Sequence, residues 1–268
     1  MENIRLIASD MDHTLLTEAG QLPPHFGRTL DALEAAGIQF AAASGRPLYT
    51  LQDVFGERSD QLALICDNGG VVSYRGTIIH KQLMAVHDYQ RIARFVQAHT
   101  DGLPLICGIE HAVGARKDQP LDAVYREFYH QLIFVDDLPA WSGEADKVTI
   151  YLPHNNAQKV FDEAIAPEFG ADFTCAVAGP VWIDITPKHI NKAKGMSLVG
   201  RKMGISSEQM MAFGDNFNDK EMLAYVAHSY LVANHNPSMT GAAKYQAPSN
   251  EEYGVQQVIA KVLATRNH

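Results

Sequence analysis

The chain has 268 residues, 46% of them apolar, enough for a full core in one large domain or two modest ones. Charged residues make up 20% with a net charge of -9, and Lys and Arg are scattered without a basic stripe, which argues against a nucleic-acid partner. Three widely spaced cysteines (Cys66, Cys107, Cys175) read as buried thiols of a reducing compartment, and the opening residues lack a basic signal region or a long apolar run, so a cytoplasmic protein with no membrane segment is expected.

The first apolar run, residues 4–9, reads as a buried strand that ends in Asp10-Met11-Asp12-His13-Thr14. Alternate residues of an extended chain face one side, so Asp10 and Asp12 can share one small volume. Two like charges that close need a cation or a shared proton. Phe26, Leu30 and Leu33 then recur at helical spacing, closed by Gly37, and residues 38–43 form a second strand ending in Ser44-Gly45-Arg46-Pro47. A helix carries Leu48, Leu51, Val54 and Phe55. The third strand, 62–66, leads into Asp67-Asn68-Gly69-Gly70 and a hairpin of 71–74 against 77–80 across Arg75-Gly76.

From about residue 85 to 186 the pattern changes. A helix carries Tyr89, Ile92, Phe95 and Val96; short strands are expected at 105–109 and 132–135, and Val148, Ile150 and Leu152 alternate cleanly. A second helix carries Ala157, Val160, Phe161, Ala164 and Ile165, and strands at 173–177 and 181–185 are joined through Gly179-Pro180. After Pro187 the first pattern resumes. A helix with Met196, Val199 and Met203 precedes a strand at 210–213 that stops at Gly214-Asp215-Asn216-Phe217-Asn218-Asp219. Met222, Leu223 and Val226 continue a helix, 230–233 is another strand, and Val255, Val258, Ile259 and Val262 mark a closing helix. The expected fold is α/β: a doubly wound, mostly parallel, Rossmann-like sheet core at 1–84 and 187–268, with an α+β unit inserted at 85–186.

Four groups fall at strand ends or helix starts, where such sheets bind ligands: Asp10/Asp12/Thr14, Ser44/Gly45, Lys192, and Asp215/Asn218/Asp219. Singly, each has an ordinary explanation as an Asx-turn, a tight turn, a solvated lysine or a helix cap. Their joint placement is what those explanations do not supply.

At these residues the chain resembles the haloacid dehalogenase-like hydrolases, and within them the Cof-type phosphatases with a large α/β cap. The resemblance rests on D-M-D-H-T at 10–14, A-S-G-R at 43–46, D-N-G-G at 67–70, G-D-N-F-N-D at 214–219 and the tail S-N-E-E-Y-G-V at 249–255. It implies that 85–186 is the cap domain, that Asp10 is the nucleophile, Asp12 the general acid/base, and Ser44 and Lys192 the phosphoryl-binding pair. It further implies that Gly45, Asn218 and Asn68 lie at the phosphate or substrate, and that Asp10, Asp12, Asp215 and, from behind, Asp219 serve a Mg²⁺ ion.

Phosphoryl chemistry asks for the same parts. A carboxylate can attack an anionic phosphate monoester only where charge is neutralised, and Mg²⁺ takes oxygen ligands such as the Asp10 and Asp215 carboxylates and the Asp12 main-chain carbonyl. Three departures stand out: His13 occupies a position where the family most often has Gly, Ser44 replaces a commoner Thr, and Lys188, Lys192 and Lys194 compete for one role. Counting back from Gly204 and Gly214 selects Lys192, although Lys194 precedes the glycine that usually follows the family's lysine. His111, Arg116 and Lys117 are candidate substrate contacts in the insertion. The implied activity is a Mg²⁺-dependent phosphatase of a small phosphorylated metabolite, sugar phosphates leading, in a monomer or homodimer. A phosphomutase with the same core and cap is the alternative, and a non-enzymatic phosphoacceptor domain fits less well.

Overall fold

The structure, a computed structural model, describes residues 3–266. In chain order its main elements are β1 (Leu6–Ser9), α1 (Phe26–Ala35), β2 (Gln39–Ala43), α2 (Leu48–Phe55), β3 (Ala63–Cys66), β4 (Val71–Tyr74), β5 (Thr77–Lys81), α3 (Val86–His99), β6 (Leu103–Gly108), β7 (Ala112–Ala115), α4 (Asp122–Arg126) and β8 (Leu132–Val135). There follow β9 (Ala145–Tyr151), α5 (Ala157–Val160), α6 (Ala166–Phe169), β10 (Phe173–Gly179), β11 (Trp182–Pro187), α7 (Lys192–Met203), β12 (Met210–Gly214), α8 (Lys220–Tyr225), β13 (His228–Val232), β14 (Tyr245–Ala247) and α9 (Gly254–Ala264). No helix among the described residues is long and apolar enough to cross a membrane.

The chain folds into two compact units. The first takes residues up to Gly45, Glu57–His80 and Asn191 onward. Its sheet runs β14-β13-β12-β1-β2-β3-β4-β5, parallel from β14 through β3 and reversing at β4. Strands β1, β2, β3 and β12 are buried along their whole length, as expected of parallel strands covered on both faces. One face packs Leu6, Ala8, Ala41 and Ile65 against Met196 and Val199 of α7 and Met222 and Leu223 of α8. The register sets Ser9 opposite Phe213, and the Asp10 N–H donates to the Phe213 carbonyl at 3.0 Å. This pairing brings the residues after β1 and after β12, from opposite ends of the chain, to one edge of the sheet.

The second unit comprises Arg46–Gly56 and Lys81–Ile190. Its sheet runs β10-β11-β9-β6-β7-β8, antiparallel except for β7 beside β8. One face packs Val148, Ile150 and Ile183 against Tyr89, Ile92 and Val96 of α3 and Phe169 of α6. The other lies under Tyr125, Tyr129 and Tyr49. Helix α2 follows β2 in the chain yet packs here, where the Thr50 hydroxyl donates to the Phe128 carbonyl at 2.9 Å.

Three elements lie outside the predicted set: β7, α4 and β14. Strand β7 reads Ala-Val-Gly-Ala, small residues with weak strand preference, and its Gly114 faces Phe134 so closely that an added Cβ would stand 3.0 Å from the ring. The alternation at 148–152 predicts one buried face, but Lys147 and Thr149 on the opposite face are buried as well. Thr149 donates to Asp184 at 2.7 Å, and the Lys147 ammonium lies 3.8 Å from Asp184 and 5.5 Å from the centre of the Tyr129 ring. Cys66 and Cys107 are buried; Cys175, on edge strand β10, is half-buried, which corrects the expectation of three buried thiols.

Candidate active site

The site begins where β1 stops. Asp10 is 5% exposed, and its Oδ1 accepts a 2.5 Å hydrogen bond from the Lys192 ammonium, which is wholly buried. Lys192 is the first residue of α7, behind Asn191, whose side chain accepts from the Lys194 N–H at 2.8 Å. An asparagine cap of this kind fixes the helix start and so the direction of the residue after it. The same ammonium donates to Asp219 Oδ1 at 2.6 Å, and Asp219 Oδ2 accepts from the N–H groups of Asp215 (2.9 Å) and Asn216 (3.1 Å). Both oxygens of Asp219 are therefore engaged by the protein.

Asp215 is 8% exposed and accepts from the Thr14 hydroxyl at 3.0 Å. One carboxylate oxygen from each of Asp10, Asp215 and Asp219 lies within 4.8 Å of the others. Asp12 is half-buried and stands outside this triad. Burial pushes the Asp10 carboxyl well above the usual carboxylate range, opposed by Lys192 and reinforced by Asp219, Asp215 and Asp12. Burial and the charge of Asp219 raise Asp215 as well, against the Thr14 hydrogen bond. Burial also works against the Lys192 ammonium, but Asp10 and Asp219 outweigh it and hold the lysine above its ordinary value.

A second group gathers at the ends of β2 and β3. Ser44 is buried; its N–H donates to the Ile65 carbonyl (2.8 Å) and its carbonyl accepts from the Asn68 N–H (2.9 Å). An added Cβ on Gly45 would stand 3.3 Å from Asn68 Nδ2, and the Asn68 side chain in turn accepts from Asn218 Nδ2 at 3.1 Å. Ser44, Gly45, Asn68 and Asn218 are thus neighbours on the sheet edge that carries Asp10.

The three lysines separate cleanly. Lys188 donates to the Gly170 carbonyl in the second unit, and Lys194 is half-buried within the first turn of α7. Gly195, the glycine that made Lys194 a rival, serves packing: a Cβ there would come within 2.4 Å of Ile65 Cγ2 on β3. His13 has a φ of +59°, the left-handed region that glycine enters freely, and its exposed ring meets Glu18 at 3.2 Å. Arg116 is an exposed partner of Asp136 in the second unit.

Sequence reasoning placed Thr14 beside the aspartates without its bond to Asp215, and left Asn191 without a part in the site. Asn191 was findable as a preferred capping residue just ahead of an apolar-periodic stretch. The Thr14 bond to Asp215 depends on β1 pairing with β12, which no local pattern states.

Comparison with known proteins agrees with this architecture. Residues 7–259 match the haloacid dehalogenase-like hydrolase family. The 5-amino-6-(5-phospho-D-ribitylamino)uracil phosphatase YbjI of Escherichia coli is 29% identical over 266 residues, covering 97% of each chain. The HMP-PP phosphatase of Serratia proteamaculans is 30% identical over 242 residues, covering 88% of this chain and 86% of the relative. Among solved structures, SMU.1108c from Streptococcus mutans superposes with a TM-score of 0.87 at 26% identity, covering 97% of this chain and 99% of the other. The chain belongs to the haloacid dehalogenase-like hydrolases, among the Cof-type phosphatases, and is a hydrolase of phosphate monoesters.

Proposed function

We propose that the enzyme is a Mg²⁺-dependent phosphatase of small phosphorylated metabolites, with sugar phosphates as the leading class, working through an aspartyl-phosphate intermediate. The observation that carries this reading is the buried convergence of Asp10, Asp215 and Asp219 around Lys192. Three carboxyl groups face a single ammonium, so when all are ionised the buried site lacks positive charge, and an all-oxygen donor set suits a hard divalent cation. Asp10, Asp215 and the Asp12 main-chain carbonyl would hold the ion, with Asp219 steadying Lys192 and the Asp215 backbone behind them. When bound, Mg²⁺ supplies positive charge that offsets the repulsion between Asp10 and the phosphoryl oxygens.

The remaining work falls to side chains. Asp10 forms a bond to phosphorus as the bond from phosphorus to the leaving oxygen breaks, and Asp12 gives that oxygen its proton. Asp12 then takes a proton from the water that attacks phosphorus, which releases inorganic phosphate and restores the Asp10 carboxylate. Lys192, the Ser44 hydroxyl and the Gly45 N–H bind phosphoryl oxygens, and Asn218 and Asn68 face the phosphate and the leaving group. The 85–186 insertion, most of the second unit, is the proposed cap that selects the leaving group. The substrate named for the Escherichia coli relative carries a phospho-ribityl group, which supports a sugar-like alcohol there.

The test is incubation with Mg²⁺ and a panel of pentose and hexose phosphates. Release of inorganic phosphate is expected from the wild type and none from Asp10→Asn, with circular dichroism showing that the variant is folded. Migration of phosphate without release would make the enzyme a mutase, and substantial turnover by Asp10→Asn would displace the nucleophile.

A further inference from the structure

The tail at 249–255 has no part in the chemistry above, yet it is bonded to the loop that carries Asp12. Asn250 is 1% exposed, and its side-chain amide donates to the Leu16 carbonyl at 3.0 Å and to Glu18 Oε1 at 3.3 Å. The Asn250 N–H donates to Asn234 Oδ1 at 3.1 Å, and the Asn234 amide donates to the His13 carbonyl at 2.8 Å. Beside them Glu251 Oε1 accepts from the Glu18 N–H at 2.7 Å. Inside the loop the Leu16 N–H closes onto the Met11 carbonyl at 2.8 Å.

These bonds grip the loop on both sides of Thr14, which itself is tied to Asp215. The tail is a firm anchor, since the Ser249 hydroxyl donates to Glu252 at 2.8 Å and the Gly254 N–H returns to the Ser249 carbonyl at 2.9 Å, directly ahead of α9. The grip also has something to hold. His13 sits in left-handed backbone that a β-carbon disfavours, and such a conformation persists only where its surroundings fix it.

We propose that Asn250 and Asn234 are positioning residues for Asp12, holding the Leu16 and His13 carbonyls so that the loop presents Asp12 to the leaving-group oxygen. The inference rests on the reading of Asp12 as general acid. Proton delivery needs hydrogen-bond reach, and small displacements of a catalytic group cost rate steeply. Loosening the loop therefore penalises a leaving group that needs a proton and spares one that does not.

The experiment compares kcat/KM, which reports the steps up to leaving-group departure, for two substrates. One is the sugar phosphate hydrolysed fastest in the panel; the other is p-nitrophenyl phosphate, whose phenolate leaves without a proton. Wild type, Asp12→Asn, Asn234→Ala and Asn250→Ala are measured, with melting temperatures. Asn234 is exposed, so its variant decides the question if Asn250→Ala does not fold. Each asparagine variant is expected to lose about 10-fold or more on the sugar phosphate and no more than about 2-fold on the aryl phosphate, a weaker copy of the Asp12→Asn pattern. Equal losses on both substrates, or no loss in Asn234→Ala, would overturn the positioning role while Asp12→Asn still discriminates. An Asp12→Asn enzyme that treats the two substrates alike would remove the general acid, and this proposal with it.

Discussion

The Lys192 ammonium is enclosed by Asp10 and Asp219 with no exposure to solvent, so its removal strands two buried carboxylates. Breaking a buried ion pair by deleting one partner costs about 3 kcal/mol or more, far beyond the hydrogen bonds themselves. Lys192→Met is therefore expected to lower unfolding stability in urea by about that amount and to abolish turnover, while Lys194→Ala should cost about 1 kcal/mol or less. A larger loss of turnover from Lys194→Ala than from Lys192→Met would return the assignment to the dipeptide that favours Lys194. Spacing along the chain picked out Lys192, because helix length and strand position fix where a side chain begins. It could not show the second carboxylate, since Asp219 reaches Lys192 only after α7 packs beside the β12 loop. His13 was legible in the same partial way. Its odd identity at a glycine position is visible in the sequence, whereas the +59° φ that makes glycine common there is visible only in the fold.

At the scale of elements, the central parallel strands β1, β2 and β12 were readable because burial on both faces writes itself as an apolar run. Strands β7 and β14 were not, being small or three residues long and owing their place to neighbours. The buried Lys147 on β9 shows the same limit, because its partner Asp184 lies on β11 and its cover, Tyr129, follows α4. One junction between elements positions the site directly. Gly69, in the loop after β3, has a φ of +102°, and a Cβ there would stand 2.4 Å from the Asn191 carbonyl at the head of α7. Backbone cannot yield as a flexible side chain does, so Gly69→Ala must push the helix start that aims Lys192. A stability loss of about 2 kcal/mol is expected, with kcat falling more than the loss of folded protein explains. Turnover unchanged in proportion to the folded fraction would show that the junction does not govern the lysine.

At the scale of the molecule, the carboxylates come from both ends of the first unit's chain, and one cation would bind them together. Adding Mg²⁺ to chelator-treated protein should therefore raise the melting temperature, since a ligand that binds only the folded state stabilises it by about 2.7 kcal/mol at a hundredfold excess over Kd. The pH dependence follows from the direction of the carboxyl shifts. Burial raises Asp10 and Asp215, so the metal-free fold holds protons that the unfolded chain releases. That fold is best supported below the unfolded pKa and loses this support as the pH climbs toward the raised values. Mg²⁺ must displace the same protons, so its protection should be small in acid and grow as the pH rises through that window. Differential scanning fluorimetry across pH, on wild type and Asp215→Asn, measures both effects. A shift that is largest in acid, or that survives Asp215→Asn undiminished, would mean that the cation binds elsewhere and that the two ends of the chain are not joined through it.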